Sequence, residues 1–291
     1  MRELFYNTVA ALGKILSLEA TARVGSSMGR LFWRLVKSRR VLATEAIAFH
    51  LEKSPEEAKR MAKAAMRNNF ISFFEIFQSP KVDWRFLDQR LEIATPENLA
   101  ALQADTGPTV VATGHFGSWE LINGVLDLLQ TGRKKIIVMR PPKDLAMNRL
   151  LHKLRARPSV EVVDHRQATK PVLKYLRSNN IAAFLVDHNC MQHEAVFLPF
   201  LNKTAAVNMG PALLAVRTGA TIWPSFLVRL PGQRFSLHVD KPLATSDLTG
   251  DSKEKVRQAA EFYTKAVERI VREYPEQWYW MHKRWKTQPG D

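Results

Sequence analysis

From residue 108 onward, short apolar, β-branched runs alternate with segments of helical periodicity, and this constrains the fold more than any other feature. The predicted strands are 108–113, 135–139, 159–163, 181–186, 195–200, 221–229 and 234–239. The predicted helices are 118–130, 144–157, 167–178, 207–218 and 252–274. Strands alternating with helices of this length imply an α/β sheet with parallel strands. Only residues 230–233, Leu-Pro-Gly-Gln, separate the last two strands, which therefore read as a hairpin. The expected fold is α/β, with a mixed, mostly parallel central sheet flanked by helices and an N-terminal helical extension.

That extension covers residues 1–80, and the α/β domain covers 81–291. Residues 1–78 read as helical. Ser54-Pro55-Glu56-Glu57 is a helix start with Ser as N-cap, Pro at the first position and Glu at the third. Thr95-Pro-Glu-Asn starts another helix within the connector 83–107. No stretch reaches 18 uninterrupted apolar residues, and Leu4 to Leu18 is broken by Asn7 and Lys14, so no spanning helix is expected. The absence of an Ala-x-Ala cleavage site argues against a secretory signal. Leu4, Phe5, Val9, Leu12, Ile15 and Leu16 recur at helical spacing, and Leu31, Phe32, Trp33, Leu35 and Val36 follow beside Arg30, Arg34 and Lys37. Such faces fit helices lying in a membrane interface and equally helices packed onto a core.

The chemistry concentrates where the run 108–113 ends in Gly114-His115-Phe116-Gly117-Ser118-Trp119-Glu120. Strand, tight turn and helix place His115 at the carboxyl end of a strand, where open α/β sheets put their sites. Glu120 follows about one helical turn later and can accept a hydrogen bond from one imidazole nitrogen. The other nitrogen is then free to take a proton from a hydroxyl, a base with its orienter. The alternative is a solvated loop histidine. Ser118 lacks the flanking glycines of a nucleophile elbow. No His-Glu-x-x-His, phosphate-binding loop or dinucleotide fingerprint occurs. Asp187, His188, Cys190, His193 and Glu194 cluster after the strand 181–186, but their spacing fits no zinc pattern. A polar loop at a strand end is the expected role.

Forty-three Lys and Arg against 28 Asp and Glu give a net charge of +15, which favours anionic partners. Residues 133–157 carry Arg133, Lys134, Lys135, Arg140, Lys143, Arg149, Lys153, Arg155 and Arg157 against Asp144 alone; 23–40 carry Arg23, Arg30, Arg34, Lys37, Arg39 and Arg40 with no acid. Nucleic acid, an anionic membrane surface and an acidic carrier protein all fit, and a solvated face is the default for any one run. No nucleic-acid motif is present. The lone Cys190 excludes an internal disulfide and suggests a reducing compartment. The tail gathers Trp278, Trp280 and Trp285 among basic residues, a pattern that can anchor at a membrane, stack on bases or close a core.

Together these pieces resemble the bacterial lipid A late acyltransferases, a branch of the lysophospholipid acyltransferase-like enzymes. The shared features are His115 with Glu120 after four intervening residues, Arg140-Pro-Pro after the next strand, and Asp187-His188 followed by Val196-Phe-Leu-Pro-Phe200. The fourth is the tail Pro275-Glu-Gln-Trp278-Tyr-Trp280-Met-His282-Lys-Arg284-Trp285-Lys286. The resemblance covers about 40 to 286. Two departures are His188, where the family usually has Gln, and an N-terminal segment less hydrophobic than its usual anchor.

The resemblance implies acyl transfer from an acyl carrier protein thioester to a hydroxyl of an anionic glycolipid such as a lipid A precursor. Other acceptors, namely a lysophospholipid or a mannosylated or aminoacyl lipid, remain open. It implies no cofactor and no metal, no nucleic-acid partner, and a peripheral or monotopic position on the cytoplasmic face of the bacterial inner membrane. His115 is then the general base and Glu120 its orienter. Backbone amides near Phe116 and Gly117 are expected to meet the oxyanion, with Arg140 as second choice or as phosphate ligand. Gly117 is expected to let the backbone approach the substrate. Asp187 is expected to be structural or to contact the acceptor rather than to act as a base, His188 to contact the acceptor, and Arg34, Lys37, Arg39 and Arg40 to contact the membrane or the carrier protein.

Overall fold

The computed structural model describes residues 2–290, apart from the side chains of Leu4, Phe5 and Leu12. Four helices come first, α1 (Arg2–Ile15), α2 (Leu18–Leu35), α3 (Lys37–His50) and α4 (Pro55–Glu75). Then follow α5 (Trp84–Arg90), β1 (Leu91–Ile93), α6 (Pro96–Ala104), β2 (Thr109–Thr113), α7 (Ile122–Leu129), β3 (Lys135–Met139) and α8 (Leu145–Arg155). After them come β4 (Val160–Asp164), α9 (Thr169–Arg177), β5 (Ile181–Leu185), β6 (Ala195–Phe200), β7 (Lys203–Asn208) and α10 (Gly210–Thr218). The chain closes with β8 (Thr221–Leu230), β9 (Arg234–Val239), β10 (Leu243–Ala244) and α11 (Ser252–Glu273).

The main sheet has the order β1-β9-β8-β2-β5-β3-β4, with β10 also on β8. Strands β8, β2, β5, β3 and β4 are mutually parallel, whereas β9 folds back antiparallel on β8 and carries β1 parallel to itself. The sheet is therefore mixed and mostly parallel, as the alternation predicts. Its two faces separate by strand period. Val110, Ala112, Ala182, Phe184, Ile222 and Phe226 face one core, which Ile47, Ala62 and Met66 of the N-terminal helices share. Val111, Ile181, Trp223 and Leu227 face the other core with Leu102 of α6 and Val125 of α7.

Several elements differ from expectation. The three-residue β1 lies inside the predicted connector and is specified by its pairing with β9 rather than by its own sequence. The run after 200 forms β7, which pairs with β6 as a separate antiparallel ribbon, so the next helix starts at Gly210 instead of 207. Helix α7 starts at Ile122 instead of 118, because the Ser118 carbonyl accepts from the amides of Leu121 and Ile122 in a tight turn.

The tail closes the core. Trp278 and Trp280 are buried and Trp285 packs against the same cluster, so none of the three is free to stack on bases or to enter a membrane. Among the described residues no helix is long and apolar enough to cross a membrane. Of the predicted N-terminal stripe, Leu4, Phe5 and Leu12 lie outside the described side chains. Val9 and Leu16 are half-buried, and Ile15 is exposed.

One ion pair ties α4 to the sheet. Arg229 of β8 meets Glu75 through Nε and Nη2, at 3.0 and 2.8 Å, and both side chains are buried. The same network takes in Ser118, whose hydroxyl donates to Glu75 at 3.3 Å, and Ser72, which donates to the Gly117 carbonyl at 2.5 Å. Arg229→Met would leave a carboxylate buried without its cation. We expect it to cost about 3–5 kcal/mol of stability, read from the urea midpoint at unchanged m-value.

Candidate active site

Strands β2 and β5 are neighbours and parallel, so the residues that follow them emerge side by side at the same sheet edge. His115 lies just past β2 and Asp187 just past β5. The His115 Nδ1–H donates to Oδ1 of Asp187 at 2.9 Å. Its main-chain amide donates to Oδ2 at 2.7 Å, and the Trp278 indole N–H donates to the same oxygen at 2.8 Å. The carboxylate can come this close because residue 114 is glycine: a Cβ there would sit 3.0 Å from Oδ2.

Asp187 is fully buried at its side chain, whereas His115 is 30% exposed. Burial opposes the Asp187 charge, but His115, His282 and the Trp278 hydrogen bond outweigh it and hold the carboxyl far below the usual carboxylate range. Burial likewise pushes the His115 imidazolium down, and the charge and hydrogen bond of Asp187 more than offset this, so its pKa is raised. With Nδ1 committed as donor, the neutral ring carries its lone pair on Nε2. This is a general base with its tautomer fixed.

The sequence reading gives the orienting place to Glu120, and here the structure differs. Both Glu120 oxygens are taken by Arg155, from Nε at 2.9 Å and Nη2 at 2.5 Å. Gly117 has φ of +56° and the 118–121 turn follows it; Glu120 remains close enough to act on the His115 charge, but its hydrogen bonds go to Arg155. Gly117 is required by packing as well as by its φ, because a Cβ there would meet the Leu227 carbonyl at 2.1 Å. Backbone geometry and packing thus suffice to require glycine here.

The expected oxyanion donors are also committed. The Phe116 amide donates to the Gly114 carbonyl at 2.7 Å and the Gly117 amide to the Gln277 carbonyl at 3.0 Å. Arg140 is exposed beyond the end of β3, two strands from β2 and so roughly 10 Å along the sheet edge. His188 points outward, with Nδ1 3.1 Å from the Leu185 carbonyl. Cys190 is buried while His193 is exposed, so the ligand types of this loop diverge. In the N-terminal group, Arg34 and Lys37 are exposed. Arg39 instead donates to the Met281 carbonyl at 2.7 Å and Arg40 to the Trp33 carbonyl at 3.0 Å.

A cavity opens between the sheet and the helices α7 and α8; His115 and Asp187 do not line it, but Trp119 does, and its ring lies 5.8 Å from that of His115. Trp119, Glu120 and Arg155 line it, and its walls are mainly apolar, including Val111, Ile122, Leu126, Ile137 and Ile181. Lys135, Asp127 and Gln130 lie among its polar lining residues. Arg155 escapes notice in sequence because it belongs to the basic run 133–157, which reads as a solvated face. Four members of that run turn inward. Arg133 binds the carbonyls of Asp105 and Gly107, Lys135 and Arg157 meet Asp127, and Arg155 meets Glu120. Guanidinium and ammonium groups bind carbonyls and carboxylates that local sequence cannot reveal.

The sequence model of the bacterial lipid A biosynthesis acyltransferases matches residues 2–287. The chain is 25% identical over 273 residues to the lipid A biosynthesis lauroyltransferase of Escherichia coli strain K12, covering 92% of this chain and 85% of that protein. It is 23% identical over 275 residues to the lipid A biosynthesis palmitoleoyltransferase of the same strain, covering 91% and 85%. To a lipid A biosynthesis acyltransferase of Haemophilus influenzae it is 23% identical over 297 residues, covering 99% and 92%.

The site makes a titration prediction without reference to substrate. An NMR titration should place the His115 pKa above the usual value of about 6.5. Asp187→Asn removes the charge that raises it, so the pKa should fall. An equal pKa in the two proteins would exclude the pairing.

Proposed function

The chain belongs to the bacterial lipid A biosynthesis acyltransferases, and from that premise we propose that it acylates a lipid A precursor. The donor is an acyl carrier protein thioester, and the reaction runs at the cytoplasmic face of the bacterial inner membrane. The observation that carries this reading is the His115–Asp187 pair, with Nε2 free, beside an apolar cavity.

His115 Nε2 takes the proton of the acceptor hydroxyl as its oxygen attacks the thioester carbonyl. The tetrahedral intermediate collapses with loss of the thiolate, which recovers the proton from the imidazolium. Asp187 keeps Nδ1 protonated and stabilises the imidazolium. No covalent enzyme intermediate forms, in keeping with the missing elbow at Ser118. Arg155 supplies the positive charge for the oxyanion, held in place by Glu120 on its Nε and Nη2 edge. The acyl chain lies in the cavity, whose walls run from Leu185 to Ile181 along β5, a depth of about 13 Å at the usual strand rise.

Charge and exposure support the partners. Arg140 and Lys143, past the end of β3, and Arg149 and Lys153 of α8 are exposed and suit an acidic carrier protein or a phosphorylated glycolipid, with Arg149 also paired to Glu3. On α2, Val24, Met28, Leu31 and Leu35 form an exposed apolar stripe at helical spacing, flanked by Arg30, Arg34 and Lys37. Its opposite face, with Ala22, Gly25, Ser26 and Gly29, is buried. That arrangement suits a helix resting on an anionic leaflet without crossing it.

The test offers labelled lauroyl and myristoyl carrier protein with a tetra-acylated lipid A precursor and, separately, a lysophospholipid. Wild type should label the lipid A precursor. Transfer to the lysophospholipid alone would reassign the acceptor, and transfer to neither would defeat the reading. His115→Ala should lose about a hundredfold or more in kcat/KM, whereas Ser118→Ala should not abolish transfer. The acid limb of kcat/KM should lie above about pH 6.5, because the base must be neutral and its pKa is raised. Replacing Arg34 and Lys37 by Ala should weaken binding to phosphatidylserine vesicles about thirtyfold, at about 1 kcal/mol per charge. Unchanged binding would place the contact elsewhere.

A further inference from the structure

We infer that Trp278 is a positioning residue for the reaction: its indole N–H, together with the strap of tail around it, fixes the Asp187 carboxylate that orients His115. This rests on the reading of His115 as the base. The aromatic tail has otherwise been explained only as a core plug, and a plug needs no polar atom at this place.

The geometry is specific. Trp278 is wholly buried, and its one polar side-chain atom is spent on Asp187 Oδ2 at 2.8 Å. The main chain on either side of it is pinned to the catalytic turn. The Gly117 amide donates to the Gln277 carbonyl at 3.0 Å, and the Tyr279 amide donates to the His115 carbonyl at 3.1 Å, around an antiparallel bridge between Phe116 and Trp278. His282 reaches back toward the Asp187 carbonyl, with Nε2 at 3.2 Å. From the other side, Asn69 of α4 donates to the Trp278 carbonyl at 3.0 Å. The tail thus touches base, orienter and the turn between them.

The electrostatic consequence has a definite sign. Oδ2 accepts from Trp278 and from the His115 amide, which spreads the carboxylate charge away from Oδ1. Without the indole N–H, more negative charge acts on the imidazolium through Oδ1, and His115 binds its proton more tightly. The other ionisable groups around the pair are Glu120 and Arg155 on the cavity side, His188 next in sequence, and His282 and Arg284 from the tail. None of them is itself replaced in a Trp278 variant, and Phe at 278 keeps an aromatic ring against His282, whose ring lies 5.2 Å from that of Trp278.

The experiment compares Trp278→Phe with Trp280→Phe in the full chain. Trp280 is an equally buried tail tryptophan, but its N–H goes to the Pro275 carbonyl at 2.8 Å, away from Asp187. Trp278→Phe should raise the His115 pKa read by NMR, move the acid limb of kcat/KM to higher pH and lower kcat about tenfold with KM little changed. Trp280→Phe should leave the His115 pKa where it is. In an Asp187→Asn background, Trp278→Phe should cause little further loss, because the two act through one carboxylate. An unchanged His115 pKa in Trp278→Phe, or an equal shift in both variants, would overturn the inference. If Trp278→Phe does not fold, site-specific benzothienylalanine at 278 carries the same test, since it keeps both rings and lacks only the N–H. The NMR titration needs no substrate, so it stands even where the transfer assay fails and the proposed activity is wrong.

Discussion

A carboxylate removed from water needs donors on both oxygens or it does not stay ionised. Asp187 has them, and the rest of the site depends on how they are supplied. One donor is the imidazole it orients, one is the backbone amide of that same histidine, and one is an indole nearly a hundred residues further along the chain. The first two become available because β2 and β5 are adjacent parallel strands whose ends emerge together, and because Gly114 leaves room for the carboxylate. Sheet order is therefore a chemical requirement here. A strand inserted between β2 and β5 would separate base and orienter by another strand spacing of about 4.8 Å.

The second acid of the site is arranged differently. Glu120 gives both oxygens to Arg155, which the last turn of α8 delivers to the cavity. Two carboxylates near one histidine would otherwise compete for its proton and raise its pKa further. Pairing Glu120 with a guanidinium leaves Asp187 as the acid bonded to the ring. The resulting ion pair lines a cavity whose other walls are mainly apolar.

Much of this was legible in the chain. The strands 135–139, 195–200 and 234–239 coincide with β3, β6 and β9, because a β-branched or apolar run bounded by turn residues leaves few alternatives. The position of His115 at a strand end was legible for the same reason. The orienter was not. The spacing from His115 to Glu120 is local and visible, whereas the contact from His115 to Asp187 spans 72 residues and exists only once β5 lies beside β2. What defeats the local reading is a distant partner: Arg155, 35 residues further on, takes both Glu120 oxygens. Arg155 was hidden among neighbours of like charge, and the amides of Phe116 and Gly117 were hidden by partners at Gly114 and Gln277.

The N-terminal helices are tied to this chemistry through the tail. Arg39 of α3 holds the Met281 carbonyl, Asn68 of α4 holds the Glu276 carbonyl and Asn69 holds that of Trp278. The segment so held grips the turn carrying His115 and bonds Asp187. On the other side of α4, α2 packs with its small-residue face and turns Leu31 and Leu35 outward. A continuous series of packed elements therefore runs from the exposed apolar stripe, through α4 and the tail, to the imidazole. Each step is a buried packing face or a hydrogen bond to main chain, which resists displacement more than a surface ion pair does. If the stripe rests on a lipid surface, the site is held at a fixed distance from that surface by this series. His115 would then lie at a set depth relative to that surface.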